Sequence, residues 1–331
     1  MKTLYIESVL KQHPRVVEVA SRYPDATQIA CQHFGEVFNK KSQNFRLQKQ
    51  LGPCWILAQK QGKRVLPTPE GFGIGGLENY YFSHFLNCLY DCRYCFLQGM
   101  YQSANYVWFV NYEDFQQDIA AICQQDMSKQ YYFFSGYDGD SLALEPVTHF
   151  VRTFVPFFAT LPNAFLELRT KSVQIRELLK QPVSERVIVA FSLTPQPISN
   201  VYEKGVPAIA NRLQAMKQLA DQGWPVGLRL DPLVDCDDFE LHYRVLIDEV
   251  FAMLPPECIH SISIGPLRFP KKMFDRIAGL YPDAKLFSQP FDKRQGHVSY
   301  SAEREKQMRQ FVEQQLLRYV SDSKLFCCGV V

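Results

Sequence analysis

The chain has 331 residues, 47% of them hydrophobic, so it can bury a large core, and neither a disordered segment nor a fibre fits this composition. Lys and Arg number 36 against 34 Asp and Glu, a net charge of +2; contact with nucleic acid therefore has to come from a local patch, because bulk basicity is lacking. The sequence has no run of about eighteen apolar residues, and residues 1–8 have no long apolar stretch of the signal-peptide kind, which predicts a cytoplasmic protein without a membrane span. Ten cysteines over this length are too sparse for a disulfide scaffold.

Taken in chain order, residues 1–77 read as an appended α/β extension, with a strand over 3–7, a helix around 25–38 and a mixed segment through 55–66. Gly71-Phe-Gly-Ile-Gly-Gly76 formally matches G-x-G-x-x-G. A dinucleotide site needs a strand just before and a helix just after that pattern, and with Pro67 and Pro69 preceding it a turn is expected instead. From residue 78 to 282, short apolar runs alternate with amphipathic stretches. Strands are predicted over 79–84, 130–135, 164–170, 186–193, 225–231 and 258–265, with helices over 112–124, 145–159, 173–180, 206–223 and 239–254. Such alternation is the sequence form of repeated β-α units, here a partial (β/α)6 TIM-like barrel with its chemistry at the C-terminal ends of the strands. Residues 283–331 hold a charged loop over 292–300, a helix to about 319 opened by Ser301, and a tail with Cys327-Cys328-Gly329. The reciprocal capping box is absent, because Arg304 occupies the third helical position. The tail is expected to be frayed.

The most informative segment is Cys88-Leu-Tyr-Asp-Cys-Arg-Tyr-Cys95, a C-x3-C-x2-C spacing just after the first predicted barrel strand. Three thiolates on one short loop can ligate three irons of a [4Fe-4S] cubane and leave the fourth iron open. A chelating amino acid such as the methionyl end of S-adenosylmethionine can fill that vacancy and accept an electron. Zinc is the poorer match, since structural zinc sites use two separated ligand pairs and no second C-x2-C follows. Packing alone seldom places three cysteines in eight residues. The loop, with aromatic Tyr94 before the last cysteine, is similar to the signature of the radical S-adenosylmethionine superfamily.

Polar residues recur where the other predicted strands end. Tyr137, Asp138, Asp140 and Ser141 follow the second strand and offer hydrogen bonds to a cofactor or, equally, cap the next helix. Arg169 and Lys171 end the third strand, Ser192 the fourth, and Arg229 with Asp231 the fifth. Polar residues on several strand ends of one barrel point to a lined site. His33, His149, His242 and His260 lack partners at ligand spacing and read as structural.

With these residues placed, the run from Tyr80 to Asn111 resembles spore photoproduct lyase and its relatives. Weaker similarity extends through Tyr5-Ile-Glu7, Leu168-Arg-Thr-Lys171, Phe191-Ser192 and Arg229-Leu-Asp-Pro232. The resemblance implies a radical SAM barrel in which Cys88, Cys92 and Cys95 hold the [4Fe-4S] cluster. It also implies that Tyr94, Lys171 and Ser192 help bind S-adenosyl-L-methionine; Asp140 and Ser141 join them as candidate cofactor partners by their position in the second turn. The implied reaction abstracts hydrogen from a thymine lesion in damaged DNA, breaks the methylene bridge and returns a hydrogen to the product, with a flavodoxin- or ferredoxin-type protein supplying electrons. Two positions depart from the family pattern. The donor cysteine is matched by Tyr137 and the relay tyrosine after the third cysteine by Phe96. Three readings follow: Tyr137 supplies the hydrogen, Cys327 or Cys328 of the tail reaches in, or the substrate is a different one, such as a peptide or metabolite. A non-catalytic iron-sulfur or zinc module binding nucleic acid through Lys293 and Arg294 is the further alternative.

Overall fold

The computed structural model describes residues 1–41, 43–75, 78–294 and 296–328. Its main sheet has eight strands in the order Leu325–Cys327, Ile259–Pro266, Val226–Leu233, Val187–Ser192, Ala164–Thr170, Tyr131–Phe134, Glu78–Phe82 and Val65–Pro67. The first seven run parallel and Val65–Pro67 pairs antiparallel at the edge. Six of these strands are those expected, in the expected order. They curl into a half-barrel, and alternation along each strand sorts the side chains. Leu166, Leu168, Val187, Val189 and Phe191 face outward into the main core beneath the helices. Tyr132, Phe134, Phe165, Ile188 and Phe326 instead gather with Ile74 in a smaller cluster inside the curl. Helices Tyr112–Cys123, Phe150–Ala159, Ile209–Gln222, Phe239–Met253 and Ala302–Leu316 cover the outside.

A second sheet, ordered Thr27–Cys31, Thr3–Glu7, Trp55–Ala58, Tyr106–Phe109 and Phe85–Leu86, carries the N-terminal layer. Chain crosses between the two sheets on both sides of residue 77, because Val65–Pro67 joins the half-barrel while residues 85–109 lend strands to the layer.

Local chemistry corrects several expectations. No helix spans 25–38; the helix is Pro14–Arg22, where Pro14 suits the first turn and His13 Nδ1 accepts from Arg15 N at 3.3 Å. Thr27–Cys31, with β-branched Thr27 and Ile29, pairs parallel with Thr3–Glu7. Residues 173–180 form only the short turn Leu178–Lys180, since Ser172 Oγ takes Gln174 N at 3.1 Å and diverts the backbone from a helix. Residues 145–159 split into Glu145–Thr148 and Phe150–Ala159 at His149, whose φ is 48°.

The charged loop is not loose either. Asp292–Arg294 and His297–Ser299 form a small antiparallel sheet with Arg268–Pro270; Gln295 lies outside the described residues. Ser301 caps its helix as expected, accepting from Arg304 N at 3.2 Å. The tail is ordered rather than frayed through Cys328, whose N–H donates to Ile264 O at 2.8 Å and continues the ladder of Leu325–Cys327. Gly329 lies outside the described residues, as does Gly76 of the glycine motif, whose other residues sit in the turn before Glu78–Phe82. Among the described residues no helix is long and apolar enough to cross a membrane.

Candidate active site

The cysteine loop leaves the first parallel barrel strand, Glu78–Phe82, and is fixed along its whole length. Asn87 adopts φ 71° and donates from Nδ2 to Ser103 O at 2.8 Å and Asn105 O at 2.6 Å. Lys49 Nζ holds Cys88 O at 2.7 Å, and Gln98 Nε2 holds Cys92 O at 2.7 Å. The short strand Asp91–Cys92 pairs antiparallel with Glu203–Lys204, so Cys92 lies opposite Glu203. Cys88, Cys92 and Cys95 line one small cavity together with Phe45, Lys49 and Leu97. Burial pushes all three thiols above their ordinary range, and a bound metal would favour their thiolate form. Among the described residues, no three His, Cys, Asp or Glu side chains gather for a single metal ion. Three cysteines on one loop supply the thiolate donor set of an iron-sulfur cluster, whereas a closed zinc site needs four ligands.

Beside the loop stands a carboxylate that sequence reasoning missed. Glu203 is fully buried, and its Oε1 accepts from Lys171 Nζ at 2.7 Å and from Tyr94 OH. Its Oε2 accepts from Arg212 Nη2 at 2.5 Å and Ser199 Oγ at 2.7 Å. Lys171 Nζ lies 3.0 Å from Tyr94 OH. Two sequence-predicted residues, Tyr94 and Lys171, are thus brought together by a third. Lys171 and Arg212 hold the Glu203 carboxyl well below its usual range despite its burial. Lys171 keeps 16% of its side chain exposed, whereas Arg212 is sealed. No local pattern marks Glu203, because it sits in a Glu-Lys-Gly stretch that reads as a surface turn.

The turn after Tyr131–Phe134 divides its labour. Asp140 is spent on the protein: Oδ1 accepts from Leu142 N, Ala143 N and Thr170 Oγ1 at 3.0, 2.8 and 2.6 Å, and Oδ2 from Lys171 N at 2.7 Å. Two of these bonds close the turn after Asp140 and two tie it to the strand end at Thr170 and Lys171, while the helix Glu145–Thr148 begins at Leu144 without a side-chain cap; the last bond fixes the backbone that carries Lys171. Ser141 Oγ is buried against Ser135 Oγ at 2.8 Å. Across the mouth, Arg169 pairs with Asp231, and its Nε lies 3.4 Å from Ser192 Oγ. Ser263 Oγ donates to Asp231 Oδ2 at 2.9 Å. Arg229 does not line the mouth; it is buried deeper, paired with Glu167.

Once these positions are known, comparison with other proteins decides the family. The family model described as Spore photoproduct lyase matches residues 79–327. The chain belongs to the spore photoproduct lyase family. It is 23% identical over 248 residues to the spore photoproduct lyase of Bacillus subtilis (strain 168), covering 72% of each chain. It is 24% identical over 202 residues to that of Geobacillus sp. (strain Y412MC61), covering 60% of this chain and 59% of that one. A solved spore photoproduct lyase complexed with dinucleoside spore photoproduct shares the fold, with TM-score 0.84 and 16% identity over 100% of this chain and 98% of that one. A mutant spore photoproduct lyase with bound AdoMet and dinucleoside spore photoproduct matches with TM-score 0.83 at 16% identity and the same coverage.

The two positions where this member departs from the family pattern are neighbours in space. Tyr137 stacks on Tyr81 with ring centroids 4.2 Å apart, and its other neighbour is Phe96, at 5.9 Å. Burial raises the Tyr137 phenol above its ordinary range, so it keeps its hydrogen. Next to it, Asp138 Oδ2 accepts from Ser83 Oγ at 2.5 Å. The tail cysteines diverge. Cys327 points outward and donates to Glu313 Oε1 at 3.0 Å. Cys328, two residues after inward-facing Phe326, is buried beside Gly265.

Proposed function

We propose that this chain is a radical S-adenosylmethionine lyase that reverses a methylene-bridged thymine lesion in DNA. One observation carries the reading: the half-barrel brings the three-cysteine loop, Lys171 and the Tyr137 turn to one mouth, on a chain that matches the spore photoproduct lyase family over residues 79–327. Cys88, Cys92 and Cys95 would hold a [4Fe-4S] cluster with one iron open to the cofactor. When bound, cluster and cofactor supply a reductively generated carbon radical able to take a hydrogen atom from the lesion.

The chain's own residues supply the rest. Lys171 and Arg212 bring two positive charges against the single carboxylate of Glu203, leaving one in excess at the partly exposed Lys171, which suits the carboxylate of an amino-acid ligand. Tyr94 and Glu203 aim that lysine. Asp140 serves by holding the Lys171 backbone, and Ser141 by packing the turn against Ser135. Ser192, at the end of its strand, offers a hydroxyl toward the same mouth. Tyr137 stands where the family's donor cysteine is expected and holds a transferable O–H hydrogen between Tyr81 and Phe96. Solved complexes of relatives with AdoMet and with dinucleoside spore photoproduct support this choice of cofactor and substrate class. Val65–Pro67 and Leu325–Cys327 belong to the half-barrel and residues 85–109 lend strands to the second sheet, so the stretches 1–77, 78–282 and 283–331 are interleaved around the mouth rather than separate parts.

The test is anaerobic reconstitution with iron and sulfide, reduction by dithionite, and incubation with AdoMet and dinucleoside spore photoproduct. The expected products are 5′-deoxyadenosine and thymine. Cofactor cleavage without thymine would move the protein to another substrate, and tight zinc with no cleavage would remove the radical reading altogether.

A further inference from the structure

Between residues 37 and 69 the chain carries seven Lys or Arg and not one Asp or Glu, in a protein whose charges otherwise nearly balance. Four of the seven, Lys40, Lys41, Arg46 and Lys49, belong to the helix Phe45–Leu51 and its approach, which lie behind the cysteine loop, while Arg64 is paired with Asp118. In the helix Phe45–Leu51, Phe45 and Lys49 lie one turn apart on the inner face and line the cavity with Cys88, Cys92 and Cys95. The outer face looks to solvent, with Arg46 exposed and Leu47 and Leu51 48% and 65% exposed. The approach to the helix carries exposed Lys40 and Lys41. It is anchored beside the cysteine loop: Asn39 Oδ1 accepts from Gln102 N at 2.6 Å, and Phe38 packs on Tyr101 with centroids 5.0 Å apart.

More cations join from neighbouring elements. The guanidinium groups of Arg46 and Arg93 lie 5.4 and 5.1 Å from the centroid of the Tyr281 ring. Arg276 Nη1 donates to Gly99 O at 2.8 Å, just past the loop. A single helix, about 10–12 Å across, therefore separates the cavity from a basic surface that also exposes leucines.

We propose that the outer face of the helix Phe45–Leu51, with Lys40, Lys41 and Arg46, is the docking surface for an acidic one-electron carrier protein of the flavin or iron-sulfur class. The proposal rests on the radical reading above and adds where its electron enters. The carrier would be oxidised by one electron and the iron-sulfur cluster held by the cysteine loop reduced by one, across one helix thickness; no bond is made and no proton moves. Opposite charge steers the encounter, and the exposed leucines give the docked pair an apolar centre. Those leucines favour a protein over a phosphate backbone, which would gain nothing from them.

The experiment uses the full chain, anaerobically reconstituted, as wild type, as Lys40→Glu/Lys41→Glu/Arg46→Glu, and as the milder Lys40→Glu/Lys41→Glu in case the triple variant folds poorly. The probe is an acidic flavodoxin with its NADPH-dependent reductase. In the variants, flavodoxin-supported AdoMet cleavage should fall about tenfold or more at low salt, where charge steering is strongest, while dithionite-driven cleavage is unchanged. Titration of oxidised flavodoxin should show the same loss of affinity. Equal flavodoxin rates and affinities in wild type and variants would overturn the proposal, as would variants that lose affinity for duplex DNA but not for flavodoxin. Failure of dithionite to drive any cleavage would count against the radical reading instead, and the flavodoxin titration would still decide the docking face.

Discussion

Two buried ion networks inside the half-barrel are built to opposite ends. Deep in the curl, Glu167 meets Arg229 in a two-pronged pair at 3.1 and 2.7 Å, and Arg229 also donates to Leu228 O, Ser261 O and Ser261 Oγ. One charge answers one charge, and both side chains are sealed, at 3% and 1% exposure. Near the mouth, Glu203 faces both Lys171 and Arg212, so one carboxylate answers two cations, and one of those cations stays partly open. A closed, neutral network can only hold the sheet together. An open network with charge to spare holds its loop and still has an interaction to offer. The contrast separates what the barrel needs to stand from what it presents to a ligand.

Breaking the closed pair gives the largest expected effect. Arg229→Met leaves Glu167 buried without a partner and should cost about 3–5 kcal/mol of stability, read by denaturant unfolding, while AdoMet affinity of the folded fraction stays near wild type. Lys171→Met should do the reverse. It should weaken AdoMet binding about a hundredfold, roughly 2.8 kcal/mol, with little change in the unfolding midpoint, because Arg212 still pairs with Glu203. If both substitutions moved stability and binding together, the division between the two networks would fail.

A group outside both networks, silent at neutral pH, sharpens the comparison on the acid side. His84 is buried against Phe150, ring centroids 3.9 Å apart, and burial pushes its imidazole down to about 3 from the usual 6.5. Its folded value lies below its unfolded one, so its contribution is complete above pH 6.5 and is lost as pH falls toward 3. The slope it adds is at most about 1.4 kcal/mol per pH unit. His84→Phe should flatten that acid limb in denaturant titrations at pH 4 to 7 and leave the limb of Arg229→Met unchanged.

The barrel was legible because its strands are apolar runs bounded by turns, and because the cysteine spacing falls at the end of the first of them. The N-terminal layer was not. Thr27–Cys31 is almost wholly exposed along its length and gains its strand form from pairing with Thr3–Glu7, which no local pattern announces. The site was half legible. Tyr94 and Lys171 stood out by position, but the group that joins them, Glu203, comes from a short strand that pairs with the cysteine loop itself. Asp140 stood out by position, and its bonds to the turn at Leu142 and Ala143 and to the strand end at Thr170 and Lys171 account for why it is there. The tail read as loose because three residues are too few for a periodic signal; its order comes from a free sheet edge beside Ile259–Pro266.

The account stands most directly on the source of the hydrogen returned to the product. Dinucleoside spore photoproduct should be turned over in D2O by the reconstituted, dithionite-reduced chain, with Tyr137→Phe and Cys328→Ala beside it, and the thymine analysed by mass. The prediction is one deuterium in a thymine methyl group for wild type and Cys328→Ala, and loss of most thymine formation in Tyr137→Phe while AdoMet is still cleaved. Unlabelled thymine, or full yield from Tyr137→Phe, would contradict it.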